Sequence, residues 1–365
     1  MWQLYILILI LLIISVNSSY NKCNSKIYCI LSFIILGFMI IFRDMSIGND
    51  TSAYEMLFWQ LSDIDNINNY TGRYEIGFIK LCKYLNYIVA SPRILLVFSG
   101  LLVAVAFGRF IYKYSDMPYL SVIMFITLQF FDLSMSGIRQ IIAISILVFA
   151  FDFMVNRKLM LFALTTGLAA SIHSSTISFL LLYPISKLKC NKKLILIMSI
   201  MAIIGYLSFD YIVIIIGKLF PVYETYFLLS GNSYSNEPKL ATILLLSLWM
   251  IIFGIGYYIN NLKQSNNYQG KTSKHKTIEN IEEICIITTI VMLFFALKGT
   301  ILIRYKYIFS FVVLIYYPNA IAKLNNKCKI MFELGSLFVL ILYISIIYIY
   351  RPEWQSTFPY VLCWK

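Results

Sequence analysis

Short polar turns separate one apolar run after another along this chain, and "RILLVFSGLLVAVAFGRFIYKY" at 93–114 is typical of them. A helix needs about 20 such residues to cross a hydrocarbon core of about 30 Å. Inside that core every backbone N–H and C=O must be satisfied within the protein, which leaves helices and closed barrels as spanning structures. The runs are solid rather than alternating, so a barrel is excluded and an all-α, polytopic integral membrane protein follows. Composition agrees: 60% of the 365 residues are hydrophobic and 13% are charged, against about 25% charged in soluble domains. A water-facing surface cannot be covered with so few charges.

Apolar runs fall at about 2–16, 27–42, 94–112, 118–131, 138–155, 159–172, 174–185, 194–217, 240–260, 281–297, 300–320 and 331–350, which predicts about 10–12 transmembrane helices in one polytopic domain over 1–365. The first run has no basic stretch before it and no small-residue cleavage pattern after it, and reads as a retained helix. No internal repeat is visible, which weighs against a transporter built from two repeated halves.

The net charge of +13 would suggest nucleic acid in a soluble chain. Here the lysines gather in short loops, at 17–26, 186–193, 261–280 and 322–329, which orients those loops toward the cytoplasm. The 43–75 segment carries Arg43 and Arg73 against Asp44, Asp50, Glu55, Asp63, Asp65 and Glu75, and 220–238 has Glu224 and Glu237 without a cation. Both belong outside. With that alternation "EIGFIKLCKYLNYIVA" (75–90) does not span and reads as an interfacial amphipathic helix within an outer loop of 43–93. The 159–185 stretch becomes a hairpin whose tip lies near His173. The seven cysteines at 23, 29, 82, 190, 285, 328 and 363 show no metal or CxxC spacing and read as small apolar fillers.

Ionisable groups at membrane depth are costly and point to function. Arg43 stands at the outer mouth of the second run. It is either a snorkelling anchor or a ligand, and the Gly48-Asn49-Asp50-Thr51 turn is expected to fold Asp50 and Tyr54 back over it. In "DLSMSGIRQIIAI" Arg139 and Gln140 open a span whose helix N-terminus is positive, a pattern suited to phosphate. His173 follows a small-residue stretch that permits close helix approach, and its neutral-range pKa suits a base or a proton relay; it has no partner at zinc-ligand spacing. Lys298, Arg304, Tyr305 and Lys306 form a further basic group at an outer end. Converging on one face, these clusters suit an anionic, membrane-embedded substrate.

These residues carry a family resemblance. "FRDMSIGNDTSAYEMLF" resembles the R-x(6)-D-x-x-x-Y element of EpsG-like proteins, the Wzy-type polymerases of bacterial exopolysaccharide and capsule. "SGIRQIIAISILVFAFDFMVNRKLMLFALTTGLAASIHSSTISFLLLYP" is similar to the middle block, and "IRYKYIFSF" to the late Arg-Tyr element. The resemblance runs from about residue 27 to 350. It leaves out the 261–280 loop and the C-terminal tail.

The resemblance implies a multi-pass protein of the bacterial cytoplasmic membrane. Such proteins join oligosaccharide repeat units carried on undecaprenyl diphosphate at the outer face, alongside the flippase and chain-length regulator of the pathway. No cofactor, metal or nucleic acid is implied. Arg139 with Arg43 and Arg304 would stabilise the departing diphosphate. His173 or Asp50 would serve as base, and Tyr54, Gln140 and Tyr305 would hold sugar or phosphate. A lipid-linked oligosaccharide flippase, a polysaccharide O-acyltransferase with His173 as base and an accessory subunit without chemistry remain open alternatives.

Overall fold

A computed structural model describes residues 2–16, 22–62, 74–219, 240–265, 273–299, 302–354 and 356–364. Asp63, Asp65 and Arg73 of the acidic loop, the whole 220–238 loop and Lys271 of the basic loop lie outside the described residues.

All regular structure among the described residues is helical. The helices are α1 (Trp2–Ser15), α2 (Lys22–Ile41), α3 (Thr51–Ser62), α4 (Ile76–Ile88), α5 (Arg93–Tyr114), α6 (Pro118–Thr127), α7 (Phe130–Ser136), α8 (Ile138–Val155), α9 (Leu159–Ile172), α10 (Leu182–Ile185), α11 (Lys192–Leu207), α12 (Phe209–Leu219), α13 (Leu240–Ser265), α14 (Ser273–Phe295), α15 (Ile303–Ser310), α16 (Val313–Ala322) and α17 (Asn326–Tyr350). A 3-10 helix, Ser174–Leu181, follows α9. The chain is therefore an all-α polytopic membrane protein.

Among the described residues, five helices are long and apolar enough to cross a membrane: Asn24–Ile41 of α2, then α5, α8, Leu240–Leu262 of α13, and α17. Two bent pairs bring the number to seven if each is one span: α6 with α7 (49°), and α11 with the start of α12 (67°). This is fewer than the apolar runs, because several runs break. Gln129 takes a left-handed φ of 68° and ends α6 inside the 118–131 run. The 300–320 run divides between α15 and α16. The 159–185 run breaks at His173, whose extended backbone (φ −145°, ψ 103°) closes α9.

Two compact units emerge, one of residues 1–180 with 321–365 and one of 181–320. In the first, α8 is central. It is buried on nearly every side, and packs against α5, α7 and α9. Its apolar surround leaves its charges dependent on local partners: at its far end Asp152 accepts from Arg109, from Tyr114 and from Lys113 (2.7 Å). The amphipathic reading of 75–90 is realised as α4. Phe78, Ile79, Cys82 and Leu85 face inward against α3 and α9, while Ile76, Tyr84 and Tyr87 face out. In the second unit α14 begins well before its apolar stretch. Asn280 accepts from the Cys190 N–H (2.6 Å) and donates to the Leu188 carbonyl (2.8 Å), tying that polar first half to the lysine-rich turn after α10.

The turn after α2 is held by the chain's far end. Arg43 and Leu362 form an isolated antiparallel bridge, the Asp44 N–H donates to the Val361 carbonyl (2.9 Å) and the Gly48 N–H to the Ser356 carbonyl (3.0 Å). Gly48 has φ +88°, and a Cβ there would lie 2.2 Å from the Met135 carbonyl oxygen. Only glycine tolerates both the conformation and the contact. Gly48→Ala is therefore expected to destabilise the protein by about 2 kcal/mol. Thermal unfolding in detergent checks this, and a midpoint equal to wild type would show that the close approach is absent.

Candidate functional site

Arg139 stands in the first turn of α8, directly after Gly137, which ends α7 and starts α8. The guanidinium keeps only part of its contact with water and needs an acceptor. Its Nη1 meets Glu75 Oε2 at 2.5 Å. Glu75 is the N-cap residue of α4, and its side chain does not cap its own helix. It reaches outward instead: Oε1 accepts from the Ser174 N–H at 2.8 Å and lies 3.7 Å from His173 Nδ1. One carboxylate thus joins the start of α4, the first turn of α8 and the end of α9.

Aromatic rings enclose this centre. Arg139 donates to the Tyr54 hydroxyl, and its Cζ lies 5.4 Å from the centre of the Tyr74 ring, in cation–π range. Tyr54 and Tyr74 pack on Phe78 of α4, with ring centres 5.3 and 6.3 Å away. Gly77 makes the approach of α4 to α9 feasible. A Cβ on it would lie 2.3 Å from Ser171 Oγ and 2.5 Å from the Ser171 carbonyl oxygen.

Electrostatics follow from these contacts. Burial pushes the Glu75 carboxyl up, but the Ser174 N–H, Arg139 and His173 together hold it below its ordinary value. Burial pushes the Tyr54 hydroxyl well up, against the pull of Arg139.

Sequence reasoning singled out Arg139, His173 and Tyr54, and the structure brings these three together. Gln140 is buried one residue further along α8. Asp132 turns elsewhere: it is buried and accepts from Tyr348 of α17 and from Thr357 (2.9 Å). The expected contact of Asp50 with Arg43 is not formed. Arg43 is 0% exposed beneath the C-terminal tail, and its Nη1 donates to the Ile47 carbonyl and to Thr51 Oγ1 (2.9 Å). The turn points the short Thr51 hydroxyl inward and leaves Asp50 exposed. Tyr54, expected over Arg43, meets Arg139 instead. Burial lowers the Arg43 guanidinium to about 10. Arg304 is exposed and Tyr305 half-buried on α15 of the second unit. Next to them Lys306 is buried, its Nζ 4.1 Å from the centre of the Tyr307 ring.

Glu75, Tyr74 and Ser174 were missed. Glu75 entered the sequence reading only as one acid among six in a loop. Its partner lies 64 residues away, and no local spacing encodes that pairing. The available signal was electrostatic: an arginine starting a buried helix requires a carboxylate. No cluster of three or more metal-ligating residues occurs among the described residues.

The depressed Glu75 carboxyl makes a stability prediction. A group with a lowered folded-state value contributes stability above its unfolded value and loses it as pH falls through the folded value. The stability difference between wild type and Glu75→Gln is therefore expected to be full above about pH 4.5, the ordinary carboxyl value, and to vanish on further acidification. Detergent-phase melting over that range measures it, and a pH-independent difference would disprove the pairing.

A sequence model of the EpsG family matches residues 26–362 of the 365-residue chain. No curated protein and no solved structure matches it. Family membership carries a polysaccharide-polymerase type of role, that of a glycosyltransferase-like enzyme in a multi-pass membrane protein. The match runs through α2–α17 and into the tail that covers Arg43, taking in Tyr54, Glu75, Arg139 and His173, and the chain belongs to the EpsG family.

Proposed function

We propose that the protein polymerises oligosaccharide repeat units carried on undecaprenyl diphosphate, at the outer face of the bacterial cytoplasmic membrane. The observation that carries this reading is the meeting of Arg139 and His173 around Glu75 at one half-buried, aromatic-walled centre. Glycosyl transfer from a lipid diphosphate needs two things there. Negative charge developing on the departing diphosphate needs a fixed cation, and the attacking hydroxyl needs a proton acceptor.

In the proposed step the bond between the anomeric carbon of the growing chain and its phosphate oxygen breaks. The electron pair leaves with the lipid diphosphate, next to Arg139. A hydroxyl of the incoming lipid-linked unit forms the new glycosidic bond and gives its proton to His173. Half-buried Tyr74 offers a ring to sugar, and buried Tyr54 backs it. The acidic charge of the 43–75 segment, against the lysine-rich loops of the sequence, supports an outward-facing centre. Gln140 and Asp50 of the same unit are further candidates for contact with the substrate. The pathway's flippase and chain-length regulator would be functional partners, and membrane lipids the surround.

Arg139→Ala and His173→Ala are each expected to lower long-polymer formation at least about 100-fold. Single lipid-linked units should then accumulate on the outer face. Gel analysis of polymer and surface labelling of the lipid-linked glycan check this. Accumulation on the inner face would favour a flippase, and normal polymer with reduced acyl content would favour an acyltransferase.

A further inference from the structure

We infer that Glu75 is the positioning residue of this centre: one carboxylate holds Arg139 by Nη1 and faces the His173 ring at its Nδ1 edge, so that the proton acceptor and the anion-stabilising cation are set by a single anchor. The inference rests on the polymerase reading for its chemistry, and on geometry for the assignment.

The geometry is built rather than incidental. Each carboxylate oxygen has its own neighbours, Oε2 meeting Arg139 at 2.5 Å, and Oε1 meeting the Ser174 N–H at 2.8 Å and His173 Nδ1 at 3.7 Å. The backbones that present these groups are pressed together at Gly77 and Ser171, where no larger residue fits. Glu75 has also given up the capping position that its place before α4 offers.

Charge explains why such an anchor is needed. A histidine that accepts a proton becomes a cation, and next to Arg139 alone that would be opposed by like-charge repulsion. Glu75 faces both and offsets the new charge. The other titratable groups around the ring's neighbourhood are Tyr54 on α3, Tyr74 before α4 and Asp50, which acts electrostatically on Tyr54; none is a carboxylate in contact with His173 among the described residues. The 3.7 Å between Nδ1 and Oε1 is an ion-pair rather than a hydrogen-bond distance; it is expected to shorten as imidazolium forms, which leaves Nε2 to take the proton from the attacking hydroxyl.

The chain has two histidines, so 15N-histidine labelling in a His275→Gln background isolates His173. In wild-type protein in nanodiscs the neutral ring is expected to be mainly the Nδ1–H tautomer. In Glu75→Gln its titration midpoint should fall by about one pH unit, and Glu75→Asp should restore most of that shift. Polymerisation turnover by Glu75→Gln should fall about 100-fold, with the acidic limb of its pH profile moved down and the donor KM little changed.

Ser174→Pro gives a second route that leaves all three side chains intact. It deletes the N–H that fixes Oε1, together with the Ser174 hydroxyl. His173 already has the extended backbone that a following proline requires, and proline is tolerated at a helix start. About a tenfold loss of turnover with the same direction of shift is expected. A His173 tautomer and midpoint unchanged in Glu75→Gln and Ser174→Pro overturn the inference. Unchanged turnover in both overturns it as well. The functional reading fails separately: if Arg139→Ala polymerises normally, the chemistry is wrong whatever the imidazole does.

Discussion

A guanidinium at the start of a helix sealed inside an apolar bundle needs a carboxylate, and the first unit depends on how that need is met. The Arg139 and Glu75 side chains are only 18% and 20% exposed. An unpartnered charge at such a place is strongly destabilising. Pairing them draws the start of α4 onto the first turn of α8, and the Ser174 N–H brings in the end of α9. The same constraint recurs at the other end of α8, where Asp152 gathers Arg109, Lys113 and Tyr114 from α5. It recurs again where Asp132 meets Tyr348 and Thr357. In the second unit Lys298 lies 3.2 Å from Asp210 and over the Tyr206 ring. Apolar packing supplies the bulk of the fold, and these polar contacts set which helix ends meet.

That division explains what could be read from the sequence. Helical class and most helix positions follow from run length and local residue type, and the break near His173 from the alternation of loop charge. Arg139, His173 and Tyr54 stood out because charged or hydroxyl groups beside apolar runs are conspicuous. Glu75 did not, because a carboxylate in an acidic loop is ordinary until its partner is known. The Asp50–Arg43 pairing failed for a related reason. Turn chemistry correctly indicated a tight turn at Gly48, but the side chain such a turn directs inward depends on what covers it. Here the cover is the C-terminal tail, whose bridge from Leu362 to Arg43 closes the two ends of the unit together. No local pattern announces that contact, and the tail carried no resemblance, although the family match reaches residue 362.

Broken helices place the functional groups. Gln129 in the left-handed region ends α6, Gly137 separates α7 from α8, and His173 stops α9. Each break exposes backbone groups that a continuous helix would consume. The Ser174 N–H is one of these, and it is spent on Glu75. A single long helix through 159–185 would bury that N–H in its own ladder and remove one of the two fixed points of the carboxylate. The apolar run therefore breaks where the site needs a donor, which agrees with the rule that irregular backbone at membrane depth lines a functional cavity or is buried in protein.

The resting ion pair also bears on how an anionic substrate could be received. If Arg139 had to surrender Glu75 to bind a diphosphate, the carboxylate would be left facing phosphate, and repulsion would weaken binding. A guanidinium has five N–H donors in a fixed fork. Arg139 uses Nη1 for Glu75 and also donates to Tyr54, two contacts that do not exhaust the five. Sharing is thus open to it where exchange would be costly. Glu75 can keep the His173 edge in place while phosphate oxygens approach the rest of the fork. Lysine, a single ammonium on a flexible stem, has no such fork with which to hold two anions in fixed directions. On the proposed reading, arginine at 139 is what would let one residue carry both an internal anchor and an external anion.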